Sequence, residues 1–288
     1  MTDKIIALVD DSVYAASVCE HAGWLSQRSG MPVELLHVLG RRDPSGPQDL
    51  SGTIRLGARS ALLDELATLD EQRARVAIAQ GRALLEDAHA LTIKAGATEV
   101  TTRLEQGDLI ERATGRDATP SVIVIGKRGA AANFAQGHLG SNLERIVRAA
   151  RVPVLVASRA WRPITKILVA FDGGASAMKA VDHIAGNPVF RKMHIDVCMV
   201  GSGPRDAQEQ LDEALLRLRA AGLQADARRL EGTPETALIV HIEAGGHDLL
   251  VMGAYGHSRI RRLFIGSTTT QMLIDAKLSV LLFRHGAA

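Results

Sequence analysis

The chain has 288 residues, of which 46% are hydrophobic, and its 34 lysines and arginines nearly balance 32 aspartates and glutamates. This length predicts two domains, and the apolar content excludes a globally disordered chain. A net charge of +2 and an aromatic content of 3% argue against a nucleic-acid surface, so no nucleic-acid partner is expected.

Short segments of the chain repeat in the same order in both halves. The matching pairs are Ile5–Asp10 with Ile167–Asp172, Leu104–Gly107 with Leu230–Thr233, Ser121–Gly129 with Asp248–Gly256, Gly140–Asn142 with Gly266–Thr268, and Val152–Val156 with Leu278–Leu282. Such ordered self-similarity predicts two copies of one domain, over residues 1–158 and 166–288. Trp161-Arg162-Pro163 interrupts the pattern between them.

The first copy is the longer one because of an insertion after its second strand. Residues 40–58 are rich in Gly, Pro, Ser and Asp, which predicts a loop. The pattern over residues 59–94 predicts a helix, with Gly81 as its weak point.

The second copy alternates strands and helices. The predicted strands are 166–171, 194–200, 224–230, 248–252 and 279–283, and the predicted helices are 175–186, 205–221, 234–245 and 267–276. Near-continuous Val/Ile/Leu runs are typical of strands covered on both faces, and the alternation predicts a parallel sheet. Thr233 followed by Pro234 is a typical helix start.

Glycines follow the fourth strand of each copy. In the second copy two residues separate Gly253 from Gly256, and nine more precede Gly266-Ser267-Thr268, where a helix begins. Glycine lets the backbone approach a ligand, and a helix N-terminus offers N–H groups that suit phosphate. If the strand order reverses beside the first strand, Asp172 faces the same crevice. The set predicts a nucleotide site; the alternative is that the glycines only make turns and Asp172 only caps a helix.

The spacing Gly-x2-Gly-x9-Gly-Ser/Thr, with an aspartate after the first strand, resembles the universal stress protein family over nearly the whole chain. The resemblance implies an α/β fold of two tandem doubly wound, Rossmann-like domains, each with a five-stranded parallel sheet in the order 3-2-1-4-5. It implies adenine-nucleotide binding in the branch that carries this motif, with ATP or AMP as the ligand, and no nucleotide in another branch. If ATP is the ligand, we expect Mg²⁺ as the accompanying ion. The resemblance also implies a role in stress adaptation or regulation.

The resemblance implies ligand contacts for individual residues of this chain. Asp172 would approach the adenosine, and the backbone of Met199 and Val200 would meet the adenine. The candidates for ribose and phosphate contacts share the glycine loop or the helix start after it: Gly253, Gly256, Gly266, Ser267 and Thr268. No catalytic residue and no metal ligand is assigned.

The first copy departs from this spacing. Ten residues separate Gly129 from Gly140, Asn142 replaces the second hydroxyl, and Asp11-Ser12 replaces the Asp-Gly pair. Nucleotide binding here and its absence are therefore both open. The candidates for a second site are Asp10, Gly126, Gly129, Gly140 and Ser141. We expect the main site in the second copy.

Two other functions remain compatible with these residues. A slow ATP hydrolase at the same crevice would need a base and charge neutralisation, but Asp172 is the one nearby base and the second loop offers no convincing lysine. A binding module for another small apolar or anionic ligand would leave the glycines as turns. In each case we expect the two halves to pack as an intramolecular pseudo-dimer through their fifth strands, 153–157 and 279–283. A homodimer of the chain is also compatible.

Cysteine content and apolar runs bear on compartment and metal chemistry. Cys19 and Cys198 lack the paired spacing of a disulfide framework or of a zinc site built on sulfur. Ile5–Val9 is too short for the core of a signal peptide, and no apolar run approaches the roughly 18 residues that span a bilayer. We therefore expect a cytoplasmic protein with no membrane partner.

Overall fold

A computed structural model of the chain describes residues 3–40, 56–115, 120–129, 139–201, 207–254 and 266–284. The strands in these ranges are β1 (Ile5–Leu8), β2 (Val33–Gly40), β3 (Val100–Gly107), β4 (Val122–Gly126), β5 (Val154–Ala157), β6 (Lys166–Ala170), β7 (His194–Val200), β8 (Gln224–Leu230), β9 (Leu249–Gly253) and β10 (Ser279–Phe283). The helices are α1 (Ala15–Ser29), α2 (Leu56–Lys94), α3 (Leu109–Thr114), α4 (Ser141–Ala149), α5 (Ala175–Gly186), α6 (Ala207–Ala220), α7 (Pro234–Gly245) and α8 (Ser267–Asp275).

The strands form one sheet in the order β3-β2-β1-β4-β5-β10-β9-β6-β7-β8. Within each half all neighbours are parallel and the order is 3-2-1-4-5, which confirms the predicted fold class. At the centre of the sheet β5 and β10 pair antiparallel, with Leu155 opposite Leu281. The predicted contact between the fifth strands is therefore present, and it joins the two halves into a continuous sheet.

Predicted and observed elements differ mainly at their ends. In the second copy the strands and helices lie within one or two residues of the predicted bounds. In the first copy α2 begins at Leu56 and continues through Gly81. The glycine lies where the helix passes close to the sheet. A Cβ added at Gly81 would lie 2.8 Å from Leu104 Cδ1 and 3.1 Å from His37 Cδ2.

Each face of the sheet carries its own apolar core. Ile5 and Ile167 point to the face covered by α1, α2, α5 and α6, while Ile6 and Leu168 point to the face covered by α3, α4, α7 and α8. This double burial explains why the strands are apolar at successive positions rather than alternate ones. None of the helices in the described ranges is both long and apolar enough to cross a bilayer.

A buried polar group crosses the line where β5 and β10 meet; we call His21, Ser158 and Ser279 the seam cluster. His21 Nδ1 lies 2.6 Å from the Ser17 carbonyl oxygen, so this nitrogen carries the proton. His21 Nε2 lies 2.7 Å from Ser279 Oγ. The same Oγ accepts a hydrogen bond from the backbone N–H of Ser158 at 3.0 Å. The cluster thus links α1 of the first copy to β10 of the second.

Cationic side chains add further contacts between the copies. Lys127 donates to the carbonyl of Ala276 at the end of α8, and Arg284 donates to the carbonyl of Arg148 in the last turn of α4. Helix C-termini carry partial negative charge, which favours a cation there. Burial, together with the neighbouring Arg128, lowers the pKa of Lys127 to about 8. Lys127 is therefore engaged with the second copy rather than with a ligand loop.

The packing of α1 on α2 gives a first testable prediction. A Cβ at Gly23 would lie 2.5 Å from Ala95 Cβ and 2.8 Å from the Thr92 carbonyl oxygen, so Gly23→Ala forces the helices apart. We expect the free energy of unfolding to fall by about 1–3 kcal/mol, despite the higher helix propensity of alanine. Urea denaturation measures this. Gly186→Ala, with nothing within 4 Å of the added Cβ, is the matched control and should be neutral or stabilising; equal effects of the two changes would contradict the packing argument.

Candidate functional site

A cavity of about 360 Å³ opens at the carboxyl ends of β1 and β4 in the first copy. The chain crosses over in opposite directions from these neighbouring strands, which is the place where doubly wound sheets bind ligands. The lining comes from the ends of four strands and the starts of α3 and α4, and its polar members include Asp10, His37, Asp108, Arg128 and Arg145. The volume is in the range of sites for small molecules, about 300–1,000 Å³.

The loop after β4 approaches this cavity closely. A Cβ added at Gly129 would lie 2.9 Å from Asp10 Oδ2, and one added at Gly126 would lie 2.6 Å from Tyr14 Cβ. Both glycines are therefore needed for close approach, and both line the cavity together with Asp10. Three of the five candidates for the first-copy site thus surround one space.

Helix α4 begins beside the same loop. Its N-cap residue Gly140 donates its N–H to the Lys127 carbonyl oxygen at 3.4 Å, and no side chain among the described residues caps the helix. Ser141 and Asn142 in the first turn are exposed, and Asn142 lines the cavity. A helix N-terminus without a side-chain cap at a cavity edge suits an anion.

Asp108 and Arg145 belong to this cavity although sequence reasoning missed them. Asp108 caps α3 by accepting hydrogen bonds from the N–H groups of Ile110 and Glu111, and its Oδ2 lies 2.5 Å from Arg145 Nη2. The Arg145 hydrogen bond holds the pKa of this carboxyl below its usual range. The sequence did offer a signal for Asp108, which directly follows the repeated segment that ends at Gly107. Residues that follow parallel strands lie at the same edge of the sheet.

In the second copy Asp172 follows β6 and is exposed. Its Oδ1 accepts a hydrogen bond from the N–H of Gly174 at 2.8 Å, so the side chain forms the local turn before α5. Because β6 and β9 are parallel neighbours, Asp172 and Gly253 lie at the same edge of the sheet. Met199 and Val200 end β7, where they pair with Arg229 and Leu230 of β8, and the Met199 side chain is buried in the core.

The glycine loop of the second copy is described only at its two ends. Gly266 donates its N–H to the Ala254 carbonyl oxygen at 3.1 Å and is the N-cap residue of α8, where Ser267 is exposed. Thr268 Oγ1 donates to Glu235 Oε1 at 2.6 Å, so this hydroxyl already has a partner. Gly256 lies outside the described residues.

Comparisons with known proteins bear on the family of the chain. The family model described as the universal stress protein family matches residues 1–158 and 199–284. A curated relative, universal stress protein Slr1230 of Synechocystis sp., is 36% identical over 285 residues, which cover 98% of this chain and 99% of the relative.

Solved structures are similar over almost the whole chain. A universal stress protein from Archaeoglobus fulgidus has a TM-score of 0.70 at 19% identity, covering 99% of this chain and 100% of that one. A putative universal stress protein from Pseudomonas aeruginosa has a TM-score of 0.61 at 17% identity, covering 98% and 93%. At these identities the similarity shows the fold.

Proposed function

Since the chain belongs to the universal stress protein family, we propose that it is a stress-response protein that binds an adenine nucleotide at the crevices of its two copies. We propose ATP, accompanied by Mg²⁺, as the ligand, with the main site in the second copy and a second site in the first. The single observation that supports nucleotide binding is the first-copy cavity at the carboxyl ends of β1 and β4, which is lined by Asp10, two glycines, Arg128 and Arg145.

In the first copy each part of a nucleotide has a counterpart. The carboxylate of Asp10 would accept hydrogen bonds from ribose hydroxyls, and Gly126 and Gly129 let the chain run close to the ligand. The start of α4 and the guanidinium groups of Arg128 and Arg145 offer positive charge to phosphates. Arg145 is shared with Asp108, so it can keep one partner while it faces a phosphate.

In the second copy the support comes from the complete glycine spacing and from the start of α8. Ser267 is exposed at a helix N-terminus that no side chain in the described part of the chain caps, which suits a phosphate oxygen. Thr268 would exchange its bond to Glu235 for one to the ligand. Asp172 would exchange its bond to Gly174 in the same way when it meets the adenosine.

Calorimetric titration of ligand-free protein with ATP and Mg²⁺, and separately with AMP, tests the proposal. We expect binding to two sites, and we expect the double variant Gly266→Val, Ser267→Ala to lose the second-copy site and keep the first. Mass spectrometry of denatured protein checks that no ligand has copurified. Absence of heat and of a thermal shift with both nucleotides would overturn nucleotide binding, and an unchanged second site in the double variant would overturn its placement.

A further inference from the structure

A second group of polar side chains lies away from the crevices, under α7. Asp196 and Cys198 are alternate residues of β7 and so face the same side of the sheet. His241 comes from α7, and His247 follows that helix directly. We call these four residues the His–Asp–Cys cluster. They lie along the middle of β7 rather than at its carboxyl end, where the proposed nucleotide site begins.

The donor atoms of the cluster converge. His241 Nε2 lies 2.8 Å and His247 Nε2 lies 3.3 Å from the same carboxylate oxygen, Asp196 Oδ2. One donor atom each from Asp196, Cys198 and His241 lie within 4.8 Å of one another. Bonds of about 2.0–2.3 Å around a tetrahedral zinc ion separate its ligand atoms by roughly 3.3–3.8 Å. The spacing of Asp196, Cys198 and His241 is therefore close to what coordination requires, and His247 approaches the same carboxylate oxygen as His241.

His247 lacks the partners that a buried imidazole requires. Its side chain is fully buried, and neither ring nitrogen makes a hydrogen bond within the described part of the chain; the approach to Asp196 lacks the required alignment. The ring lies close to the backbone of Gly245, because a Cβ added at Gly245 would lie 2.7 Å from His247 Nδ1. Buried polar groups are almost always satisfied, so an aimed and unsatisfied imidazole points to a missing ligand.

The charges of the cluster fit a divalent ion. Asp196 is a buried carboxylate that faces Arg228, His241 and His247. Arg228 Nε lies 3.4 Å from Oδ1 and leaves Oδ2 to the two imidazoles. A metal ion would displace the thiol proton of Cys198 to water on binding. One thiolate and one carboxylate then neutralise the two charges of the ion.

We propose that Asp196, Cys198, His241 and His247 bind one divalent transition-metal ion of the zinc type, which ties α7 to β7. A set of one sulfur, two imidazole nitrogens and one carboxylate oxygen suits zinc or cobalt, whereas magnesium and calcium prefer oxygen ligands alone. His241 is half-buried and the Arg228 side chain is largely exposed, which gives the ion a way in from the surface.

Metal titration of chelator-treated full-length protein tests the site. Cobalt should produce the visible absorption of a tetrahedral ion together with a thiolate charge-transfer band, and zinc, measured against a chromophoric chelator, should bind one ion per chain. Cys198→Ser should remove the thiolate band and weaken zinc binding at least about tenfold. The matched control is Cys19→Ser, because Cys19 is the other buried cysteine and lies in α1 of the first copy. It should change neither result.

Thermal unfolding adds a readout that does not depend on cobalt. Zinc should raise the unfolding temperature of the parent and of Cys19→Ser, but not of His247→Gln; His241→Gln, at a half-buried position, serves if His247→Gln does not fold. The proposal is overturned if the parent gives no thiolate band, or if both cysteine variants lose it equally. Zinc binding of parental affinity in the Cys198→Ser, His241→Gln double variant would place the ion on other histidines and also overturn it.

Discussion

The free energy of unfolding is expected to fall by about 2 kcal/mol between about pH 7 and about pH 5 because of one histidine, His21. Burial lowers the pKa of this imidazole from 6.5 to about 4, although the Ser17 carbonyl opposes the shift. The unfolded chain takes up a proton near pH 6.5 that the folded protein does not accept until near pH 4. Stability from this residue is therefore complete above pH 6.5, declines below it and levels off below about pH 4.

Urea denaturation at the two pH values measures this effect. His21→Gln should be less stable than the parent at neutral pH, because it disturbs the seam cluster, but its stability should change by about 2 kcal/mol less with pH. His89→Gln, at an exposed position on α2, is the control and should keep the parental pH dependence. The same pH dependence in His21→Gln and the parent would show that another group is responsible.

A valine at position 129 is expected to weaken nucleotide binding in the first copy about 10- to 100-fold, because a hydrogen bond to a charged group contributes about 1.5–3 kcal/mol. The added Cβ would lie 2.9 Å from Asp10 Oδ2, so either the carboxylate or the loop after β4 must move. The ribose would then lose its acceptor. This prediction rests on the proposed function.

Calorimetry in the Gly266→Val, Ser267→Ala background isolates the first crevice. Gly129→Val in that background should show the loss, whereas Gly186→Val should not, since nothing lies within 4 Å of a Cβ at position 186. Circular dichroism confirms that each variant is folded. An unchanged affinity in Gly129→Val would mean that the nucleotide does not lie against Asp10, even if it binds elsewhere in the chain.

Local patterns predicted the fold because the strands are buried on both faces and carry near-continuous apolar runs. The glycine spacing likewise located the start of α8, since a helix start is a local feature. The Asp108–Arg145 pair could not be predicted in this way, because it depends on how α3 packs against α4.

The His–Asp–Cys cluster escaped sequence reasoning for a related reason. The lack of paired cysteines argues only against a zinc site built on sulfur alone, whereas this cluster needs one sulfur. Its other donors are Asp196 on β7, His241 on α7 and His247 after that helix. These donors come together only when α7 packs on the sheet, and no fixed spacing in the sequence indicates that packing.

Because β5 and β10 belong to one chain, their pairing is an intramolecular contact and not an association of two molecules. Residues 158–165 join β5 to β6, so the two halves meet at an effective concentration that dilution cannot lower. An assembly of separate single-copy chains would dissociate as their concentration falls, whereas this sheet remains continuous at any concentration. Each half also always meets the same unlike neighbour, so the two crevices are free to differ in ligand or affinity without loss of the partnership.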